Sequence, residues 1–275
     1  MMTLSTSCAE GVNGHASVTK PPKFQASKAK GRKAAMRYTK EEVRAIYVRP
    51  LMELVFDAAG VHRRHHDPNR VQLSTLMSVK TGGCSEDCGY CAQSGRYKTE
   101  VTSAGLADPK QVIEEAKRAR ELGAGRFCMG AAWSGVTDKN LPALEEMVRG
   151  VKELGLQTCF TLGRLTEEQA QRLRRAGLDY YNHNLDTSRE YYPQVISSHS
   201  FEERLETIGH AKKAGMNICC GGIVGMGESR EDRIGLLFEL VNLPEPPDSV
   251  PINRLVAIKG TPLAERNIES IDTIE

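Results

Sequence analysis

GRFCMGAAWSGVTDKNLPALEEMVRGVKELGLQTCFTLG, residues 125–163, contains one complete repeat of the chain's design. It opens on a short apolar run, GRFCMGAA, and passes through a polar loop. Leu144, Met147, Val148, Val151 and Leu154 then recur at three- and four-residue spacing, which places them on one face of a helix. Gly155 stops that helix, because glycine adopts the left-handed conformation that helix ends favour. A second apolar run, LQTCFTLG, follows at once. A strand, a helix and a strand in this order form a βαβ unit, whose two strands are parallel.

The same unit recurs on both sides. Further strands are expected at VQLSTLMSV (71–79), LDYYNHNL (178–185), MNICCGGIVG (216–225) and INRLVAI (252–258), with helices stopped at Gly123, Gly177 and Gly215. Thr166 with Gln169 and Ser200 with Glu203 have the spacing of capping boxes that start the intervening helices, as do Thr39 and Glu42 further upstream. Two short helices precede the first strand, the second carrying Leu51, Leu54, Val55, Ala58 and Ala59. Near-continuous apolar strands suit a parallel sheet covered on both faces. The fold class expected is therefore α/β, a parallel (β/α) TIM-type barrel with about six of the eight strands, since a complete barrel takes roughly 250 residues. Residues 39–275 form this domain, and its end after the sixth strand reads as a C-terminal truncation. Residues 1–38, with Glu10 as their one acid among scattered Lys and Arg, read as a disordered basic leader. A solvated tail implies a cytoplasmic protein; a transit peptide implies the mitochondrial matrix.

Composition excludes several classes of function. The 275 residues are 40% hydrophobic and 26% charged, as in ordinary globular domains. No apolar stretch approaches the roughly 18 residues of a membrane span. A net charge of only +2 gives no basic field for a nucleic acid. Eight cysteines in a chain without a secretory signal point to metal or catalysis rather than disulfides.

Three of the eight crowd into GGCSEDCGYCAQ as Cys84, Cys88 and Cys91, just after the first strand. In a parallel barrel that position, at the C-terminal end of a strand, is where reacting groups gather. Three thiolates on one loop can hold three irons of a cubane cluster and leave the fourth open to a ligand that is not protein. A zinc knuckle or inert thiols is the competing reading. Cys128, Cys159 and Cys219 lie on three different strands, each readable alone as a small core hydrophobe. Alternation along a strand puts Asn182 and Asn184 on one face and sends Cys219 and Cys220 to opposite faces. Arg126 shares a face with Cys128, where its charge can balance an anionic group. The cluster HRRHH at 62–66 complements a helix C-terminus and is assigned no metal.

CSEDCGYC resembles the signature of radical S-adenosylmethionine (SAM) enzymes. The segments VQLSTLMSVKTGGCSEDCGYCAQSGRYKT, RFCMGAAW, CFTLG, AGLDYYNHNLDTS, GGIVGMGE and SVPINRLVAIKGTPL together resemble the biotin synthase family, in that family's order. The resemblance implies a 4Fe-4S cluster on Cys84, Cys88 and Cys91, and a 2Fe-2S cluster on Cys128, Cys159 and Cys219 with an arginine that lies beyond these 275 residues. It implies SAM contacts from Tyr90, Ala131, Asn184, Asp186, Gly221, Gly222 and Ile223, and dethiobiotin contacts from Asn182, Asn184 and Asn253. Radical-mediated sulfur insertion into dethiobiotin is the activity implied. The partners implied are a reduced flavodoxin- or ferredoxin-type electron donor and iron–sulfur assembly proteins, and the open sheet edges suggest a homodimer. The alternatives are a non-catalytic fragment or metal-binding module, and another small-molecule radical SAM enzyme.

Overall fold

The computed structural model describes residues 37–265, which lie within a compact unit beginning at Met36. The leader up to residue 36 and the last ten residues lie outside the described residues. Helix α1 (Lys40–Tyr47) opens on the Thr39–Glu42 capping box, and α2 (Leu51–His65) ends in the basic turn His62 to His65. The order is then β1 (Ser74–Lys80), α3 (Pro109–Glu121), β2 (Arg126–Ala131), α4 (Leu141–Glu153), β3 (Gln157–Thr161), α5 (Glu167–Ala176), β4 (Tyr180–Asn182), α6 (Phe201–Lys213) and β5 (Asn217–Cys219). It finishes with β6 (Gly222–Val224), α7 (Arg230–Asn242), β7 (Ile252–Arg254) and the single turn α8 (Pro262–Glu265).

β1 to β5 form one parallel sheet in sequence order, and β6 and β7 pair as a second parallel sheet. The capping boxes expected on α1, α5 and α6 are all formed, and a fourth, Ser229 with Asp232, starts α7. The four expected stops, Gly123, Gly155, Gly177 and Gly215, all take positive φ. Arg37 and Tyr38, at the end of the expected leader, donate backbone N–H groups to Asn242 Oδ1 on α7. Among the described residues no helix is long and apolar enough to cross a membrane.

Several strand expectations need correction: the first strand starts at Ser74 instead of 71, and the sixth ends at Arg254 instead of 258. The fourth strand ends at Asn182 instead of 185, because Leu185 and Asp186 both donate to Gly221 O and Asp186 turns the chain at φ 68°. The fifth breaks into β5 and β6 at Cys220 and Gly221. There the backbone is pressed so tightly that a Cβ on Gly221 would lie 1.8 Å from Pro251 O.

Strand register separates the two faces. Met129, Phe160, Tyr181 and Ile218 are row partners across β2 to β5, and all are buried against the helices. Leu144, Met147, Val148 and Val151 of α4 and Leu173 of α5 complete that layer. Alternate residues face the other way. Cys128 and Cys159 are direct partners in one row, while Gly130 with Thr161, and Asn182 with Cys219, sit one step further along the strands. That inner face meets a cavity at the C-terminal ends of the strands.

Candidate active site

A cavity of about 340 Å³ opens above the sheet. The loop after β1 supplies Cys84, Cys88, Cys91 and Tyr90; the end of β2 supplies Ala131 and Trp133; the stretch after β4 supplies Asn182, Asn184 and Asp186. Cys84 and Asp186, 102 positions apart in the chain, thus share one wall set. Parallel strands bring this about, since each C-terminal end delivers its loop to the same mouth.

The cysteine loop is folded back on itself. Cys84 N–H donates to Gln93 O, Gly95 N–H to Cys84 O, and Gln93 Oε1 accepts from Gly82 N–H. Its middle is tied down from outside, because the Asp87 carboxylate accepts from the backbone N–H groups of Ser197 and Ser198, each at 2.9 Å, and from the Ser197 hydroxyl. Glu86 beside it is buried and accepts from His199 Nδ1 at 2.7 Å, from Ser198 and from Arg164. Burial alone would raise Glu86; the hydrogen bonds from Ser198 and His199 outweigh it and hold the carboxyl below its ordinary value. Burial and Arg204 lower His199, so a neutral imidazole donates from Nδ1 to a carboxylate.

Burial raises all three loop thiols, Cys88 being pushed up to about 12. They are protonated at neutral pH and must lose protons to bind metal. Among the described residues no three His, Cys, Asp or Glu side chains converge on a centre for one ion. The three thiols instead ring a shared cavity, and soft thiolate donors from one loop are the donor set that an iron–sulfur cluster takes.

Asp186 links the loop to the strand side. Its Oδ2 accepts from Tyr90 OH at 2.7 Å and pairs with Arg204 at 2.8 Å, both Asp186 and Arg204 being buried. Arg204 also donates to Tyr192 OH and to Asn184 O, at 2.6 Å each. Asn184 Oδ1 accepts from Gly221 N–H at 3.1 Å. Asn182 Nδ2 donates to Thr161 Oγ1 at 3.0 Å, while its Oδ1 is buried without a partner. Among the described residues His183 Nε2 is the other such atom, and burial keeps that imidazole neutral. Trp133 Nε1 donates to Leu162 O at 2.7 Å, so this side chain both lines the cavity and anchors β2 to β3.

The second group of cysteines lies deeper along the inner face and does not line this cavity. Cys128 and Cys159 hydrogen-bond to each other, which lowers Cys128 and raises Cys159. Arg126 stacks over the Tyr180 ring at 3.6 Å, bonds to Gln157 Oε1, and favours the thiolates of Cys128, Cys159 and Cys219. Cys220 is fully buried in the core on the opposite face. Gly221, Gly222 and Ile223 flank the β5–β6 break rather than the cavity, and a Cβ on Gly222 would lie 2.6 Å from Asp186 O. Asn253 pairs with Ile223 and is exposed on β7, so it too stands outside the cavity. Glu86, Arg164, His199 and Arg204 were not singled out by sequence reasoning. Their roles come from tertiary pairing; Glu86, in the cysteine motif itself, was the one local signal.

Comparison with known proteins agrees with this geometry. The family model of the radical SAM superfamily matches residues 78–240. A biotin synthase from Erwinia tasmaniensis is 54% identical over 233 residues, covering 85% of this chain and 68% of that protein. One from Dechloromonas aromatica is 58% identical over 231 residues, covering 84% and 71%. The solved structure of methylornithine synthase superposes with a TM-score of 0.70 at 22% identity, covering 84% of this chain and 68% of that one, and shows the likeness of fold.

Proposed function

The chain belongs to the biotin synthase family of the radical SAM superfamily, and from that membership we propose which of its residues carry the family's reaction, sulfur insertion into dethiobiotin to give biotin. The family's cofactors are a 4Fe-4S cluster, SAM and a 2Fe-2S cluster. When bound, they supply radical hydrogen abstraction from unactivated carbons and the sulfur that is inserted, chemistry that belongs to the cofactors rather than to side chains.

Cys84, Cys88 and Cys91 hold the first cluster. The observation that carries this reading is their meeting, in one cavity, with Tyr90, Ala131, Asn184 and Asp186. Asn184 and Asp186 take the ribose hydroxyls of SAM: Asn184 keeps Nδ2 available as a donor once Oδ1 is engaged, and Asp186 keeps Oδ1 once Oδ2 is engaged. Tyr90 positions Asp186 and Ala131 takes the methionyl amino group; an adenine contact for Gly221, Gly222 and Ile223 is carried over from the family pattern alone, since they flank the β5–β6 break. Asn182 binds the ureido ring, its unpartnered Oδ1 being an acceptor for a ureido N–H; Asn253, outside the cavity, is carried over from the family pattern alone. Cys128, Cys159 and Cys219 hold the second cluster, with Arg126 offsetting its charge. The electron comes from a reduced flavodoxin- or ferredoxin-type donor, iron–sulfur assembly proteins load the clusters, and the free state of the seven described cysteines suits the reducing cytoplasm.

The test is anaerobic reconstitution with iron and sulfide, followed by reductant, SAM and dethiobiotin. Iron with acid-labile sulfide, deoxyadenosine and biotin are expected. Zinc retention without deoxyadenosine overturns the reading in favour of a binding module.

A further inference from the structure

Lys80 closes β1, and its register partner is Ala131. Its backbone O accepts from Ala132 N–H at 2.8 Å, and its Nζ donates back to Ala132 O at 2.6 Å. The same ammonium donates to Gly82 O, at the entrance of the cysteine loop, and a Cβ on Gly83 would stand 3.7 Å from it. One side chain therefore grips two segments that meet at the cavity, the loop after β1 and the end of β2. Its charge is distinctive as well. Of the cavity's cations, Arg204 is paired with Asp186, and Arg164 with Glu86 and Glu203. Lys80, also on the cavity wall, has only carbonyl oxygens as partners among the described residues. A cation left without a carboxylate at a low-dielectric wall favours negative charge placed next to it.

Resting on the assignment of Cys84, Cys88 and Cys91 as cluster ligands, we propose that Lys80 is a positioning residue of the radical half-site. It clamps the entrance of the cysteine loop to Ala132 and holds an uncompensated positive charge beside the loop thiolates, so that the centre they bind accepts an electron more readily. Net charge around a cluster is one of the influences that set its potential, and a carbonyl-bound ammonium supplies a fixed positive charge.

K80M and K80R decide it, with two readouts. Amide hydrogen exchange of the metal-free protein reports the clamp: exchange across residues 82–95 should accelerate several-fold in K80M and stay near wild type in K80R. The midpoint potential of the reconstituted 4Fe-4S cluster, followed by its reduced-state EPR signal, reports the charge: K80M should shift it to more negative values at unchanged iron content, and K80R should restore it. A K80M potential equal to wild type, or a K80R shift as large as that of K80M, overturns the proposal. If K80M retains no iron, K80R with iron and a wild-type potential supports the clamp, and iron loss in both overturns it. Absence of iron from the wild-type protein refutes the ligand assignment instead, and unchanged exchange in K80M then refutes the clamp independently.

Discussion

The buried pair of Asp186 and Arg204 is the point at which the cavity is most exposed to a single substitution. Removing one member of a buried ion pair leaves an uncompensated charge, at a cost of about 3–5 kcal/mol. Arg204→Ala should lower the stability by that order in urea unfolding, and should release Tyr192 OH and Asn184 O as well. The cysteines separate the two half-reactions. Cys88→Ala should abolish deoxyadenosine formation, whereas Cys159→Ala should spare it and impair biotin formation, both read from one chromatogram. Protons enter through the thiols. Because burial raises Cys84, Cys88 and Cys91, each is protonated at neutral pH, and iron binding must release those protons. Iron affinity of the metal-free protein should therefore increase from neutral to mildly alkaline pH, as an iron titration at each pH would reveal. The sequence marked these cysteines by spacing alone. It could not mark Glu86 and His199 as a pair, because they lie 113 positions apart and only folding brings them to 2.7 Å.

The cysteine loop depends on elements that it does not touch in sequence. Asp87 seats it on the segment at 197–198, and that carboxylate has a measurable signature. Burial would raise Asp87, but the hydrogen bonds from Ser197 and Ser198 more than reverse this and hold it well below the ordinary carboxylate value of about 3.9. A lowered folded-state value stabilises the fold above the unfolded value, and that contribution disappears as pH falls through the folded one. Stability should thus decline below about pH 4, and Asp87→Asn should flatten that part of the acid profile in thermal melts. Helix starts are simpler. Thr166→Ala removes a capping box from α5 and should cost about 1 kcal/mol, with no change in iron content. Capping boxes and glycine stops were legible because each depends on residues within a few positions of one another. The break between β5 and β6 was not, since it arises where Gly221 meets Pro251, on a different strand connection.

At the scale of the whole molecule, many large apolar side chains among the described residues remain exposed. α2 has no buried residue, Phe56 on it is 79% exposed, and Val71, Val256 and Ile258 are exposed near the two outermost strands. Exposed apolar surface and unpaired strand edges favour association. Sedimentation velocity should show self-association that grows with concentration, and Phe56→Lys should weaken it if the α2 face takes part. The chain spans 68% and 71% of the lengths of the Erwinia and Dechloromonas relatives. The sequence by itself determined the alternation of strands and helices, their parallel arrangement, three helix starts and four helix stops, and the cysteine triplet, because periodicity, capping and metal-ligand spacing are local properties of a chain. Only the tertiary structure decided that Asp186 would be held between Tyr90 and Arg204, that Asn182 would keep an empty acceptor, that Asn253 would stand outside the cavity and that Lys80 would bridge two loops. Those outcomes depend on register, strand ends and burial, which come into being when distant segments pack and no local pattern records them.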